Sequence, residues 1–180
     1  MTTHSRSGLV APHVRLPAAG SYRVDPARSS ATFTTRHLFG LGKVTGSLAL
    51  LDGQVTIAAD PAASTVQATL ASDTFQSASA GRDKVVKSAG FLDAASHPHL
   101  TFASTSLVQN GPGWAVRGTL TVRGAAAPLE LTVTDISQDD GEVTVHATAT
   151  VDRYAHGLTK AKGLAARRLQ LQLTAVATRT

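Results

Sequence analysis

The feature that most constrains this chain is a strict alternation of apolar and polar residues, which recurs from Tyr22 almost to the C-terminus. In the clearest run, Trp114–Val122, every second residue is apolar or glycine. A period of two places alternate side chains on opposite faces of a strand, so each run predicts a strand with one buried and one solvated face. Such strands are typical of antiparallel sheets. Further runs occupy residues 27–35, 43–51, 54–58, 65–70, 100–108, 129–133, 143–152 and 169–175.

Short turn signals separate these runs, which favours antiparallel neighbours in a sandwich or a closed barrel. The turn sequences are Leu51-Asp52-Gly53-Gln54, Asp60-Pro61, Asn110-Gly111-Pro112-Gly113 and Asp139-Asp140-Gly141. Two stretches break the alternation. The charge pattern of Gly81–Gly90 predicts a short helix that ends at Gly90, and Tyr154–Ala166 predicts a loop or one to two helical turns. The prediction is an all-β fold of eight or nine strands.

The interior of such a fold would contain few large rings. The 180 residues are 42% hydrophobic but include only five Phe, two Tyr and one Trp. Either Leu, Val and Ala pack the interior, or it is not packed solid. The chain has no Cys, which excludes disulfides, thiolate metal sites and a thiol nucleophile. No apolar run approaches the roughly 20 residues of a membrane-spanning helix.

The first 20 residues lack the alternation and predict a flexible N-terminal tail, which leaves one domain over residues 21–180. This segment contains Arg6, Arg15, Pro12 and Pro17, and it lacks the apolar stretch of about 7–15 residues that a secretory signal requires. With no signal peptide visible, we expect a cytoplasmic protein.

The chain is basic, with a net charge of +5 and an isoelectric point near 10.1. The cations are scattered and have no interleaved aromatic residues on which bases could stack, so we expect no nucleic-acid partner. The same charge suits a phosphate head group or a transient contact with an acidic membrane surface.

Three histidine-containing segments are candidates for metal or ligand binding. In His97-Pro98-His99 the two imidazoles share one side of an extended segment, but without a third ligand beside them we expect a loop before a strand and no metal site. His37, at a strand end, and His156, after Asp152-Arg153-Tyr154, are each either hydrogen-bonded to backbone or polar groups at the mouth of a pocket. Asp152 and Arg153 predict either a structural ion pair or a ligand contact.

Several motifs lie along the chain in a characteristic order. They are Tyr22-Arg23-Val24-Asp25-Pro26, Phe33-Thr34-Thr35-Arg36-His37, Arg82-Asp83, Phe91-Leu92-Asp93, His97-Pro98, Gly118-Thr119-Leu120-Thr121-Val122-Arg123-Gly124 and Val151-Asp152-Arg153-Tyr154-Ala155-His156-Gly157-Leu158. Their order and spacing, over roughly residues 20–178, resemble the YceI-like family of polyisoprenoid-binding proteins. The resemblance implies an extended eight-stranded antiparallel lipocalin-like barrel with one or two short helices.

The resemblance also implies a function: non-catalytic binding or carriage of a long-chain isoprenoid lipid, either a prenyl phosphate or a polyprenyl quinone, inside the barrel. Eight strands enclose a space that side chains can fill or that can hold one small ligand. No cofactor other than the bound lipid or quinone is expected. The candidate ligand contacts are His37, Phe39, Arg82, Phe91, Phe102, Trp114, Arg153, Tyr154 and His156.

Two other functions remain open at this point. One is an enzyme that acts on a hydrophobic substrate in the same cavity, with His37 or His156 as base. The other is a structural or stress-linked β protein whose interior is simply packed. An exposed strand edge or the barrel mouth could also support a homodimer.

Overall fold

The computed structural model describes residues 13–37 and 42–180. Its strands are β1 (Gly20–Val24), β2 (Ser30–His37), β3 (Gly42–Leu48), β4 (Leu50–Ile57), β5 (Thr65–Ala71), β6 (Gln76–Ser77), β7 (His99–Asn110), β8 (Gly113–Val122), β9 (Ala125–Asp139), β10 (Glu142–Asp152) and β11 (Arg168–Arg179). In this part of the chain there is one α-helix, α1 (Ala80–Lys87). Single-turn 3-10 helices lie at Pro26–Arg28, Pro61–Ala63, Ser72–Thr74 and Arg153–His156.

Eight of the strands form a closed antiparallel barrel. Their order is β1-β4-β5-β7-β8-β9-β10-β11, and the pairing of β1 with β11 closes the ring. The predicted eight-stranded antiparallel barrel is therefore confirmed. The remaining strands form a branch: β2 pairs with β11, β3 with β2, and β6 with β3.

The branch makes the barrel long. Strand β1 pairs with residues 177–179 of β11 and β2 pairs with residues 170–174, so the two short strands follow one another along the same edge. Strands β3 and β4 likewise follow one another, with only Ala49 between them. We call the end that carries β1 and the turns after β4, β7 and β9 the first end. The second end carries the tips of β2 and β3, helix α1, the turn after β8 and the segment 153–167.

The alternation seen in the sequence corresponds to the two faces of the barrel wall. In β10, Ala147 and Ala149 are buried, whereas Thr148 and Thr150 are exposed. The inward residues of β7 to β11 join one hydrophobic cluster that runs through the barrel. The apolar face of each strand therefore lines the interior, as predicted.

The structure corrects the prediction of a turn at Leu51-Asp52-Gly53-Gln54. Strand β4 continues through these residues, and a β-bulge between Leu50 and Asp52 absorbs the irregularity. Gly53 is required for close approach rather than for a turn, because a Cβ atom there would lie 2.9 Å from Cβ of Val24.

Two predicted boundaries also differ. Helix α1 ends at Lys87, where the backbone N–H of Ser88 donates to the carbonyl of Val85, so Gly90 does not terminate it. Strand β9 starts at Ala125, four residues before the predicted run. Arg123 and Gly124 have φ of 52° and 73° and form a two-residue turn, for which Gly124 is the sequence signal.

Residues 13–19, which we call the strap, lie against the first end. The Val14 N–H donates to the carbonyl of Pro112 at 2.7 Å, and the indole N–H of Trp114 donates to the carbonyl of Val14 at 3.0 Å. The Tyr22 hydroxyl donates to the carbonyl of Ala18 at 2.7 Å. Part of the predicted tail therefore contacts the barrel. No helix among the described residues has the length and apolar character needed to cross a bilayer.

Candidate functional site

Two cavities lie in the barrel interior, and Leu120 of β8 lines both. The cavity towards the first end has a volume of about 200 Å³, and the cavity towards the second end has a volume of about 360 Å³. A water molecule occupies about 30 Å³ of liquid, and ligand pockets usually measure about 300–1,000 Å³. The interior is therefore not packed solid.

The first cavity is lined almost entirely by aliphatic side chains from the inward faces of the strands. Among them are Val24, Leu50, Val55, Ile57, Leu107, Val116, Leu129, Leu131, Val133 and Leu171. The strap contributes Leu16 and Pro17, so it forms part of the wall. Phe102, one of the predicted ligand contacts, also lines this cavity and is buried. Such a wall suits an aliphatic chain, of which each buried methylene contributes about 0.8 kcal/mol.

The second cavity combines apolar walls with a small polar group. Phe33, Val44, Leu48, Phe75, Val86, Phe91, Leu92, Val122, Leu158 and Leu169 are among its apolar residues. Its polar residues are Thr35, Arg82, Arg153 and His156. Four predicted ligand contacts, namely Arg82, Phe91, Arg153 and His156, therefore line one cavity.

His156 presents a hydrogen-bond acceptor to this cavity. The side chain is buried, and Nδ1 lies 2.9 Å from the carbonyl oxygen of Ala125. Because a carbonyl only accepts, Nδ1 is the donor, and in the neutral tautomer of the ring Nε2 is the acceptor. No described residue forms a hydrogen bond with Nε2, and His156 lines the second cavity, so Nε2 is the ring nitrogen available to a ligand there.

Arg153 is a buried cation whose donors bind backbone. Its Nε donates to the carbonyl of Ala166 at 2.9 Å and Nη2 to that of Ala165 at 2.9 Å. Its Nη1 donates to the carbonyls of Leu158 and Lys160, the latter at 2.7 Å. The guanidinium thereby fixes the loop 158–166 as one wall of the second cavity.

The expected ion pair between Asp152 and Arg153 is wrong. Asp152 instead pairs with Arg167, whose Nη2 lies 2.6 Å from Oδ2, and a hydrogen bond from this guanidinium holds the pKa of the Asp152 carboxyl below its usual value. The backbone N–H of Tyr154 also donates to this carboxyl, which caps the 3-10 turn. The physical reason is that Arg153 points inward from the end of β10 and meets carbonyls, whereas Asp152 faces the partly exposed side.

Arg82, on α1, is partly buried and takes part in a short chain of hydrogen bonds. Its Nη1 donates to Oγ of Ser77 at 3.2 Å, and Ser77 donates to Asp83 at 2.7 Å. The bond from Ser77 lowers the pKa of Asp83. This network holds α1 against β6 and places the Arg82 side chain at the cavity wall.

The remaining predicted contacts lie elsewhere. Trp114 and Tyr154 are not among the residues that line either cavity. Trp114 binds the strap, and the Tyr154 ring lies between the cationic groups of Arg153, Lys162 and Arg167, at 4.9, 5.5 and 5.2 Å from its centroid.

Two further predictions fall at the tip between β2 and β3. His37 pairs with Gly42 in the β2–β3 ladder, and Phe39 lies outside the described residues. The roles of all nine residues as ligand contacts stay predictions.

Several lining residues were not anticipated. Leu16 and Pro17 fall in the predicted tail. Their apolar character is the sequence signal that this segment packs against the barrel. Phe75 lines the second cavity opposite Gly46, where a Cβ atom would lie 2.6 Å from the ring. No set of three or more metal-ligating side chains clusters within the described residues.

Comparison with known proteins gives consistent matches. Residues 22–177 match the family described as YceI-like domain. Protein YceI of Escherichia coli O17:K52:H18 is 34% identical over 125 residues, which cover 68% of this chain and 65% of that protein. A UPF0312 protein of Enterobacter sp. strain 638 matches with the same identity and coverage. The chain thus spans slightly less than two thirds of the length of these curated relatives.

Solved structures share the fold at lower identity. Burkholderia cenocepacia BcnA superposes with a TM-score of 0.75 at 22% identity, covering 86% of this chain and 99% of that one. A Saccharophagus degradans structure described as a polyisoprenoid binding domain implicated in plant cell wall breakdown gives a TM-score of 0.67 at 12% identity, covering 88% and 98%. These likenesses establish the fold alone.

Proposed function

The chain belongs to the YceI-like domain family, and on that premise we propose that it binds one long-chain isoprenoid lipid inside the barrel without catalysing a reaction on it. The observation that carries this proposal is the change in polarity along the interior. An aliphatic cavity of about 200 Å³ and a larger cavity of about 360 Å³ that is lined in part by polar side chains share Leu120 as a lining residue. The solved Saccharophagus degradans domain, which is described as polyisoprenoid binding, has the same fold.

The two cavities define an orientation for the ligand. The tail lies in the first cavity, where aliphatic walls replace water around each methylene. The polar end lies in the second cavity, where Nε2 of His156 accepts a hydrogen bond from a hydroxyl, as in a quinol, and Arg82 attracts a phosphate. Because four of the five N–H groups of Arg153 already bind backbone carbonyls, its main role is to shape the site rather than to bind the ligand.

Organic extraction of the purified protein followed by mass spectrometry tests the proposal. We expect an isoprenoid lipid at close to one molecule per chain, and the mass of its polar end distinguishes a phosphate from a quinone. A protein that is empty at full stoichiometry, and that takes up no polyprenyl quinone or prenyl phosphate when either is added, would overturn the proposal.

A matched pair of variants locates the ligand. Ala147 faces the first cavity, and its neighbour Thr148 faces solvent on the same strand. Ala147→Phe fills part of the cavity and should lower the amount of bound lipid severalfold. Thr148→Phe adds the same ring outside and should leave binding unchanged. Equal binding by both variants would contradict a ligand in the first cavity.

The fixed tautomer of His156 also favours a second candidate function, in which Nε2 acts as a general base on a hydrophobic substrate. Its Nδ1 partner is a backbone carbonyl rather than a carboxylate, which orients the ring but stabilises the imidazolium less. The two functions differ in one measurement. An enzyme requires turnover of the extracted lipid that His156→Gln abolishes while the fold is retained, whereas a carrier returns the lipid unchanged.

A further inference from the structure

We propose that the second end of the barrel docks on a membrane that contains anionic lipids. The cations of the chain are concentrated at this end. They include Lys43, Arg82, Lys84, Lys87, Arg123, Lys160, Lys162, Arg167 and Arg168, against the acids Asp73, Asp83, Asp93 and Asp152. The net charge of +5 therefore understates the positive potential at the second mouth.

The first end has the opposite balance. Its acids are Asp25, Asp52, Asp60, Asp139, Asp140 and Glu142, against the cations Arg15, Arg23, Arg28 and Arg179. The barrel is therefore positive at one end and negative at the other. A negative lipid surface would attract the second end and repel the first, so the charge alone sets the orientation of the molecule.

The lysines at the second end are available for such a surface. Lys84, Lys160 and Lys162 are exposed, and none of them forms an ion pair with any described residue. Of the acids there, Asp152 is paired with Arg167 and Asp83 accepts from Ser77. Each lysine near an anionic surface strengthens binding about fivefold.

Apolar side chains accompany these lysines. Val85 and Leu164 are 51% and 57% exposed, among the few large hydrophobic residues of the described chain that face solvent. Val85 lines the second cavity, and Leu164 precedes Ala165, which also lines it. Exposed aliphatic residues among lysines are typical of surfaces that insert into the lipid interface. These two residues flank the second cavity at the end that would meet the bilayer.

The arrangement favours a membrane over a nucleic acid. Binding of single-stranded nucleic acid relies on aromatic rings that stack on bases. Among the described residues, the ring that contacts the cations of this end is Tyr154, and Arg153, Lys162 and Arg167 already cover it. Docking itself requires no bound ligand. The role we assign to it, exchange of the lipid between bilayer and second cavity, rests on the proposed function.

Co-sedimentation with vesicles tests docking. We expect binding to phosphatidylcholine vesicles that contain phosphatidylglycerol, weak binding to phosphatidylcholine alone, and loss of binding as salt rises. The double variant Lys84→Glu/Lys162→Glu should bind at least about tenfold more weakly. The control Arg15→Glu/Arg23→Glu changes the net charge equally in exposed residues at the first end and should bind within about twofold of the native chain.

A second matched pair tests insertion. Leu164→Asn should weaken vesicle binding about threefold or more, whereas Leu51→Asn, at a leucine that is 47% exposed on β4, should not change it. Equal binding to neutral vesicles, equal loss from both charge variants, or tighter binding to a DNA fragment than to anionic vesicles would overturn the proposal.

The two proposals fail separately. If the protein binds anionic vesicles but extracts empty and takes up no added isoprenoid, docking is supported and the isoprenoid function is contradicted. If the protein extracts with bound lipid but does not bind anionic vesicles, the isoprenoid function is supported and docking is contradicted.

Discussion

The two cavities are enclosed by one continuous sheet, yet they differ in chemistry. The first has aliphatic walls and is bordered by the strap, which binds the barrel through backbone groups and the indole of Trp114. The second contains His156, Arg82 and Arg153. None of these three lies within the strands of the closed ring: one is on α1 and two are on the 3-10 turn after β10. In this barrel the strands supply most of the apolar wall, and the connections between them supply the arginine and histidine side chains of the second cavity.

The wall that the loop 158–166 gives to the second cavity is held by Arg153. The substitution Arg153→Met tests this role, and its expected effect on stability is the largest of those predicted here. The substitution removes donors from the carbonyls of Leu158, Lys160, Ala165 and Ala166. Bonds from a charged donor are worth about 1.5–3 kcal/mol each, and some of the freed carbonyls can bind water. We expect the free energy of unfolding in urea to fall by roughly 3–5 kcal/mol.

The control is Arg117→Met, which removes an arginine from an exposed pair with Glu130 on the barrel wall. Exposed pairs contribute about 0–1 kcal/mol, so this variant should be nearly as stable as the native chain. Equal stability of the two variants would show that the loop 158–166 does not depend on the hydrogen bonds from Arg153.

Two glycines test how freely each region can adjust to added volume. A Cβ at Gly118 would meet the carbonyl oxygen of Ala103 on the neighbouring strand, so Gly118→Ala must move backbone and should cost about 2–3 kcal/mol. A Cβ at Gly46 would meet the Phe75 ring at 2.6 Å, and the nearest backbone atom, the carbonyl oxygen of Gln76, would lie at 3.3 Å. That ring borders the second cavity and can shift into it. We expect Gly46→Ala to cost about 1 kcal/mol or less.

Thermal or urea unfolding of both variants measures the difference. A cost at Gly46 as large as that at Gly118 would mean that the second cavity cannot accommodate movement of Phe75, and its volume would then be a poor guide to what it can bind.

The barrel wall could be predicted from the sequence because burial on one face imposes a period of two. The errors arose where a local signal has two physical causes. Asp52-Gly53 is typical of a turn, but glycine also permits close approach of another strand, and at Gly53 the side chain of Val24 lies against the backbone. Only the three-dimensional pairing of β1 with β4 distinguishes the two.

The candidate site was less predictable for a related reason. The sequence marks Arg153 as a candidate site residue, but its acceptors are backbone carbonyls, which every residue has and which the sequence therefore does not identify. The acceptor role of His156 likewise depends on the carbonyl of Ala125, at 2.9 Å across the fold. Residue types indicate which side chains can do chemistry, whereas their partners depend on how the chain folds.

A smaller effect is expected at the first end, where Trp114→Phe removes one hydrogen bond from the strap. The ring is nearly retained, but the carbonyl of Val14 loses its donor. A neutral hydrogen bond contributes about 1 kcal/mol, which corresponds to about fivefold faster hydrogen exchange at the Val14 amide, bound to Pro112. Unchanged exchange at Val14 together with faster exchange in α1 would contradict the expectation that the effect is confined to the strap at the first end.

The smallest effects concern one exposed ion pair at each end: Arg28 with Glu142 at the first, and Arg167 with Asp152 at the second. In both, a hydrogen bond from the arginine lowers the pKa of the carboxyl. Because the unfolded chain then binds more protons, the stabilisation is present above the unfolded pKa, about 4, and is lost as the pH falls through the folded pKa.

The variants Glu142→Gln and Asp152→Asn remove this pH-dependent stability, and the asparagine can still cap the 3-10 turn at Tyr154. The difference in unfolding free energy between each variant and the native chain should be greatest above about pH 5, shrink in acid and fade at high salt. If both variants shift one two-state transition, the two ends unfold together despite their different chemistry. If Asp152→Asn instead accelerates hydrogen exchange only in the loop 158–166, the second end opens locally, as exchange of a ligand there would require.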